Sequence, residues 1–532
     1  MSSEPQQVSA APTPSGIARW AKVVDHTRCI GCHACSTACK AENEVPLGVH
    51  RTYVKYAEVG TFPQVKRHYQ VTRCNQCDDA PCVEICPTGA MYRRRDGIVD
   101  FDKSICIGCK ACMAACPYDA IFINPEDHSA EKCNFCAHRI DVGLEPACVT
   151  VCPTQAILVG DLDDPTSRVA QIAHREAVAV RRPEKGTQPK LFYLGAHQAT
   201  LDPLAARRPD GGLFLWGEQA SAHDQVVSGH PRESESSRRG RSPNTGTSSA
   251  AALLAFDVPH TIPWDWRVGL YTLTKGVAAG SYLIAVLLVL GGAVAATSPL
   301  WTWVAPLLAT VALVATGGVL ISDLEHPGRF WMLLARPQWR SWLVRGAFII
   351  TGYGVALAAH LGAAFLGREE WLTPLAVAGA PLAVLTAVYT AWLFAQAKAR
   401  DLWQSPLLPP HLLVQALVAG AAALLPVAVA VAPEAVPTLA RWLAIGAALH
   451  LAMVAGEMTL PHPTAHARLA AHELGRGRYR VAFGAGLVLV VVALAAPWLA
   501  APLAIGAAAA ALAGLLAHEH AYVQAGQSVP LA

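Results

Sequence analysis

The chain has 532 residues, 53% of them hydrophobic and only 15% charged, against roughly 25% charged in an average soluble domain; this excludes a disordered chain and a basic nucleic-acid binder, and it points to a membrane. Charge is unevenly divided, with 28 Lys and Arg and 28 Asp and Glu in the first 256 residues but only 14 and 11 in the 276 that follow. The net charge of +3 therefore arises in the second half, and the two halves are built for different solvents.

Residues 1–20 read as a loose tail. They contain neither the apolar core of an export leader nor a twin arginine, so an uncleaved, cytoplasmic amino-terminal domain is expected. Residues 21–203 hold all 16 cysteines, between Cys29 and Cys152, together with strand-like text such as LFYL at 191–194. With no leader in view, a secreted disulfide scaffold is a poor account of such crowding.

The cysteines fall into four quartets. Cys29, Cys32, Cys35 and Cys39 are spaced CxxCxxCxxxC, and Cys106, Cys109, Cys112 and Cys116 repeat that spacing, followed by Pro117. Cys74, Cys77, Cys82 and Cys86, followed by Pro87, lengthen the middle gap; Cys133, Cys136, Cys148 and Cys152, followed by Pro153, lengthen it further. In this spacing three cysteines wrap one iron-sulfur cubane and the fourth reaches a neighbouring one, so quartets work in pairs. Four 4Fe-4S clusters are expected, in an α+β duplicated ferredoxin-like fold. Structural zinc needs only two CxxC pairs and leaves the third cysteine and the CP step without a role. Clusters in series form a wire for single electrons. No nucleophile, phosphate loop or dinucleotide motif accompanies them, so the chain is not expected to transform a soluble substrate itself.

Residues 204–256 include HPRESESSRRGRSPNTGTSSAA, which is too polar to order itself and reads as a largely disordered linker. Residues 257–532 read as an all-α bundle of eight transmembrane spans, at about 269–292, 300–321, 342–366, 372–396, 411–432, 437–458, 480–497 and 499–517. Twelve Lys and Arg, Lys275 among them, fall on the side of the cluster domain, whereas Arg368 and Arg441 fall on the other. This bias puts the iron-sulfur domain on the cytoplasmic side of a prokaryotic inner membrane. A bis-histidine haem would need His360 and His450 at one depth; the spans put them at different depths, and no haem is expected. The other histidines of this half and the tryptophans read as loop and interface residues.

The segments CIGCHACSTACKAENEVPLGVHRT (29–52), CNQCDDAPCVEICPTGAMYRRRDGIV (74–99) and CIGCKACMAACPYDA (106–120) resemble the four-cluster electron-transfer subunit of respiratory molybdoenzymes of the dimethyl sulfoxide and polysulfide reductase type. That resemblance implies ligand sets of Cys29, Cys32, Cys35 with Cys152; Cys133, Cys136, Cys148 with Cys39; Cys74, Cys77, Cys82 with Cys116; and Cys106, Cys109, Cys112 with Cys86. WDWRVGLYTLTKGVAAGSYL (264–283), SDLEHPGRFWMLLARPQWRSWLVRGAFIITGYG (322–354) and YTAWLFAQAKARDLWQSPLLPP (389–410) resemble the polysulfide reductase (NrfD-like) membrane anchor. The two resemblances together imply a fusion of wire and anchor, a quinone site in the anchor, and a separate molybdopterin-containing catalytic subunit.

A quinone site needs polar groups at one depth near the cluster side. Lys275 lies about two turns into the first span and Tyr389 about two turns from the end of the fourth; His260, Asp323, Gln396 and Glu457 lie near the same face. Ionisable residues inside a membrane are costly and read as functional. The site is therefore expected between the first and fourth spans, with Asp323 or Glu457 relaying protons. The alternative reading is an anchor that is ion-coupled or inert toward quinone. The partner's substrate and the direction of electron flow stay open.

Overall fold

Trp20–Asp25 buries Ala21 and Val23 on one face and Val24 on the other, which makes it the natural centre of a sheet. It pairs antiparallel with Ile157–Asp161 and parallel with Leu191–Leu194, and Val178–Ala179 closes the far edge. The LFYL text is thus a strand. This computed structural model describes residues 18–61, 63–207 and 252–532.

Around that sheet the cysteine-rich chain repeats a small unit. The short helix Pro81–Ile85 leads to the hairpin Met91–Arg93 with Val99–Phe101, and Ala111–Ala115 leads to Ile121–Ile123 with Ala130–Lys132. A longer hairpin pairs Thr52–Thr61 with Gln64–Arg73.

The carboxyl-terminal end of the stretch expected as linker, 204–256, is a strand. Residues 208–251 lie outside the described residues, but Ala252–Phe256 is a third strand on the edge of the long hairpin, antiparallel to Thr52–Thr61. Its alternation buries Ala252 and Leu254 beside Ala57 and Ala199, so the chain is tied to the cluster domain just before it enters the membrane.

Among the described residues, eight helices are long and apolar enough to span a bilayer: Trp266–Leu290, Leu300–Ser322, Trp342–Phe365, Glu369–Gln396, Leu408–Val431, Pro433–Thr459, Arg480–Trp498 and Ala501–Gln527. Val311, Val314 and Val377 are 59%, 71% and 74% exposed on them, an arrangement suited to lipid rather than water. The first and fifth spans cross closely at Gly280 and Gly420: a Cβ on Gly280 would collide with the Ala416 carbonyl oxygen. Such small-residue seams replace the hydrophobic effect as the glue between helices in lipid. The last span runs ten residues past the expected end at 517. Its closing turns carry His518, Glu519, Gln524 and Gln527, all buried, so hydropathy missed them.

The loop after the second span docks on the cluster domain. Glu325 N and His326 N donate to Gly108 O and Ile107 O at 3.4 and 3.2 Å, Arg329 Nη1 donates to Cys106 O at 2.8 Å, and Ser341 Oγ donates to Ile85 O at 2.7 Å.

His260, expected at the quinone site, is instead an interdomain clamp. Its Nδ1 lies 2.5 Å from Asp119 Oδ2 and its Nε2 lies 3.1 Å from Asp257 Oδ1. Burial disfavours the imidazolium, but Asp257 and Asp119 outweigh it and lift the pKa to about 10, from about 6.5 in an unfolded chain. The clamp therefore stabilises fully below pH 6.5 and fades as pH rises through 10. His260→Gln is expected to cost about 3 kcal/mol near pH 6, the price of breaking a buried ion pair, and almost nothing above pH 10. Denaturant melts followed by cluster absorbance measure this; a cost that does not change with pH would rule out the charged imidazole.

Candidate functional site

The ligand loops have a built geometry. In CIGCHAC and CIGCKAC, Gly31 and Gly108 have φ of 66° and 67°, and His33 and Lys110 both have φ of 60°, so the two duplicated loops curl alike. Such left-handed turns are costly for non-glycine residues, and their repetition marks a shared demand to converge sulfurs.

Eight of the thiols converge in two groups of four. Cys86, Cys106, Cys109 and Cys112 line a cavity of about 370 Å³; Cys74, Cys77, Cys82 and Cys116 line one of about 300 Å³. Cys39 has Cys133, Cys136 and Cys148 as charge neighbours, and Cys29 has Cys32 and Cys152. The two cavity groups coincide with two of the four sets that the family resemblance implies. Four sulfurs around each of these two cavities, in a mostly buried setting, fit an iron-sulfur cubane.

Backbone amides aim at the sulfurs. Met91 N lies 3.3 Å from Cys86 Sγ, Ala130 N lies 3.4 Å from Cys106 Sγ, and Ala156 N lies 3.2 Å from Cys152 Sγ. Arg73 Nη1 lies 3.0 Å from Cys148 Sγ and Lys22 Nζ lies 3.8 Å from it. Burial pushes the Cys148 thiol up, but Lys22 and Arg73 outweigh that and hold it below the ordinary value, which favours a thiolate ligand.

Beneath the Cys86 and Cys109 group lies an open cavity of about 820 Å³, counted out to the solvent. Its walls come from the first four spans and the docked loop, and they include Cys109, Trp264, Arg267, Tyr271, Asp323, Phe330 and Tyr389. Gly346 on the third span makes room for the Tyr389 ring, with which a Cβ there would collide.

Of the six residues expected at the site, Tyr389 and Asp323 line this cavity. Lys275 stands behind the Tyr389 ring, 4.8 Å from its centroid, and its Nζ donates to Ala387 O at 3.0 Å and Thr390 Oγ1 at 2.5 Å. The other three lie outside it. His260 is the clamp described above. Gln396 caps the third span, accepting from Trp342 N at 2.8 Å and donating to Arg340 O at 2.7 Å. Glu457 pairs with His411 Nδ1 at 3.1 Å on the other side of the bundle. Counting along a span yields depth but not azimuth, and Gln396 and Glu457 face other partners.

Tyr271 and Arg267 went unremarked in the sequence, though they lie one and two turns before Lys275 and at helical spacing from it. His360 and His450 also part company: His360 Nδ1 meets Tyr282 Oη at 3.1 Å, whereas His450 packs with His411 and His518. His411, His518 and Trp301 are buried within the spans, and Trp403 is buried in the connection between the fourth and fifth spans, because packing gives them polar or aromatic partners inside.

Fold and site together define a membrane-anchored iron-sulfur electron-transfer protein. Residues 65–162 match the 4Fe-4S dicluster domain family, and residues 256–531, more than half of the chain, match the family described as polysulphide reductase, NrfD; the chain belongs to this NrfD family. Its first part is similar to a tetrathionate reductase subunit of Salmonella typhimurium (strain LT2), 45% identical over 208 residues, 38% of this chain and 80% of that protein. It is also similar to arsenate respiratory reductase iron-sulfur subunit ArrB of Shewanella sp. (strain ANA-3), 39% identical over 224 residues, 33% of this chain and 96% of that protein. Protein NrfC of Escherichia coli (strain K12) is 44% identical over 177 residues, 33% of this chain and 79% of that protein. One polypeptide thus unites an iron-sulfur electron-transfer subunit with its membrane anchor.

Proposed function

We propose that this chain passes electrons through four 4Fe-4S clusters between a molybdopterin-containing catalytic subunit, docked on the ferredoxin domain, and quinone held in the 820 Å³ cavity. The observation that carries this reading is that Cys109, from the cysteine group nearest the membrane, shares the cavity wall with Tyr389, Tyr271 and Asp323. A ring bound there sits beside a cluster ligand, with a phenol to hydrogen-bond a carbonyl and a carboxyl at the mouth. Likeness to subunits of tetrathionate and arsenate reductases supports a separate catalytic partner, which we assign to the molybdopterin class.

The ferredoxin domain is assigned to the cytoplasmic side of the inner membrane. Lys275 is buried and drops out of the loop count, which still leaves eleven Lys and Arg on the domain's side against two on the other; the positive-inside rule supports that placement.

Asp323 is the proton-exchanging group of this reading. Burial raises its pKa to about 6, against the pull of Lys110 3.3 Å away. Quinol oxidation needs the ionised carboxylate as acceptor, so its rate should rise as pH passes upward through 6; quinone reduction needs the acid and should fall over the same window. Stopped-flow mixing of reduced menaquinol analogue with oxidised purified protein reads cluster bleaching directly. The pH inflection should vanish in Asp323→Asn. Clusters that exchange no electrons with quinol or quinone at any pH would return the anchor to the quinone-inert reading.

A further inference from the structure

We propose that His411, His450 and His518 bind a divalent transition-metal ion of the zinc class in the half of the bundle away from the quinone cavity. The three residues come from the fifth, sixth and eighth spans, and each brings one ring nitrogen to within 4.8 Å of the other two. They are 1%, 0% and 2% exposed, with ring centroids 4.9, 5.6 and 4.9 Å apart. An ion with nitrogen ligands at about 2.0–2.1 Å in tetrahedral geometry sets those nitrogens about 3.4 Å apart. Ring rotations moving each nitrogen by about 1 Å close the site, well within what side chains do on binding a ligand.

A second observation points to the same place. His450 Nε2 and His518 Nδ1 are buried with no hydrogen-bond partner, and a buried polar atom left unpaired costs about 1–3 kcal/mol. Leaving two such atoms, from the sixth and eighth spans, in one buried cluster is unfavourable unless something satisfies them. An ion coordinating the imidazoles returns that cost and pins three spans together.

The surroundings suit a cation. Glu457 Oε1 stands 3.1 Å from His411 Nδ1, while His411 Nε2 faces His450 Nδ1 at 2.9 Å. A carboxylate behind an imidazole fixes its tautomer and turns the opposite nitrogen to the metal. Glu519 is also a neighbour of both His411 and Lys275. The donor set is three imidazoles with no sulfur, which suits zinc and its late first-row neighbours and not the iron-sulfur machinery. None of the three histidines lines the quinone cavity, so the inference stands apart from the quinone reading.

The test uses the whole chain in detergent with its iron in place, stripped of loosely held metal by a chelator and then titrated with zinc chloride. Elemental analysis should show one zinc per chain with iron unchanged. Zinc-edge absorption should show nitrogen at about 2.0–2.1 Å and no sulfur shell near 2.3 Å. His450→Gln and His518→Gln should each abolish zinc uptake. Glu457→Gln keeps all three imidazoles and should weaken affinity about 10–100-fold, which gives a readout even if the histidine variants fold poorly. A sulfur shell would put the zinc at the cysteines and overturn the proposal. So would a folded protein with intact clusters that takes up no zinc, leaving the imidazoles as a hydrogen-bonded proton relay.

Discussion

On the proposed reading of one four-iron cubane for each of four cysteine groups, Cys109→Ser should remove about four of about sixteen iron atoms, and quinone-dependent turnover should fall to background. The cluster lost is the one whose ligands border the membrane cavity, so the wire is cut where it meets the membrane, whereas reduction of the remaining clusters by dithionite persists. Cys86→Ser should produce the same spectroscopic lesion, since Cys86 lines the same 370 Å³ cavity although it lies 23 residues away in sequence. Cys116→Ser, from the same sequence quartet as Cys109, should damage a different cluster, because Cys116 lines the 300 Å³ cavity with Cys74, Cys77 and Cys82. Electron paramagnetic resonance of the three variants separates these outcomes. Matching lesions in Cys109 and Cys116 variants, with a distinct one in Cys86, would show that the chain ligates by sequence quartet.

Tyr389→Phe should lower quinone turnover roughly 10–100-fold, the rate equivalent of losing a hydrogen bond worth about 1–3 kcal/mol in a water-poor site. The ring fills the space opened by Gly346 and its volume is kept, so iron content and cluster reduction by dithionite should not change. Lys275→Met should have a smaller effect on the same assay. Its ammonium is engaged by Ala387 O and Thr390 Oγ1 and supports the Tyr389 ring from behind rather than reaching into the cavity. Full quinone turnover in both variants would move the site elsewhere in the bundle and restore the anchor reading.

The cysteine groups and the spans were legible in the chain because their causes are local. A CxxCxxC loop curls within seven residues, as the near-identical φ values at Gly31 and Gly108 and at His33 and Lys110 attest. A bilayer demands about twenty apolar residues in a row, and the described residues contain eight such helices. The edge strand Ala252–Phe256 escaped notice because a strand is defined by its partner, and Thr52–Thr61 lies about 200 residues earlier.

The sites within the bundle were legible only in part. Depth follows from counting 1.5 Å per residue along a helix, and it brought Lys275 and Tyr389 to one level. Rotation about each helix axis, and which helix stands beside which, follow from contacts such as Gly280 against Ala416 and Gly420. Those contacts turned Glu457 toward His411, Gln396 toward Trp342 and His260 toward Asp119. They also gathered His411, His450 and His518 from three separate spans. Residue order alone thus specifies the metal chemistry of the first half and the solvent of the second. Which polar side chains meet inside the membrane is a property of the packed bundle, because it depends on how helices far apart in the chain are set and turned against one another.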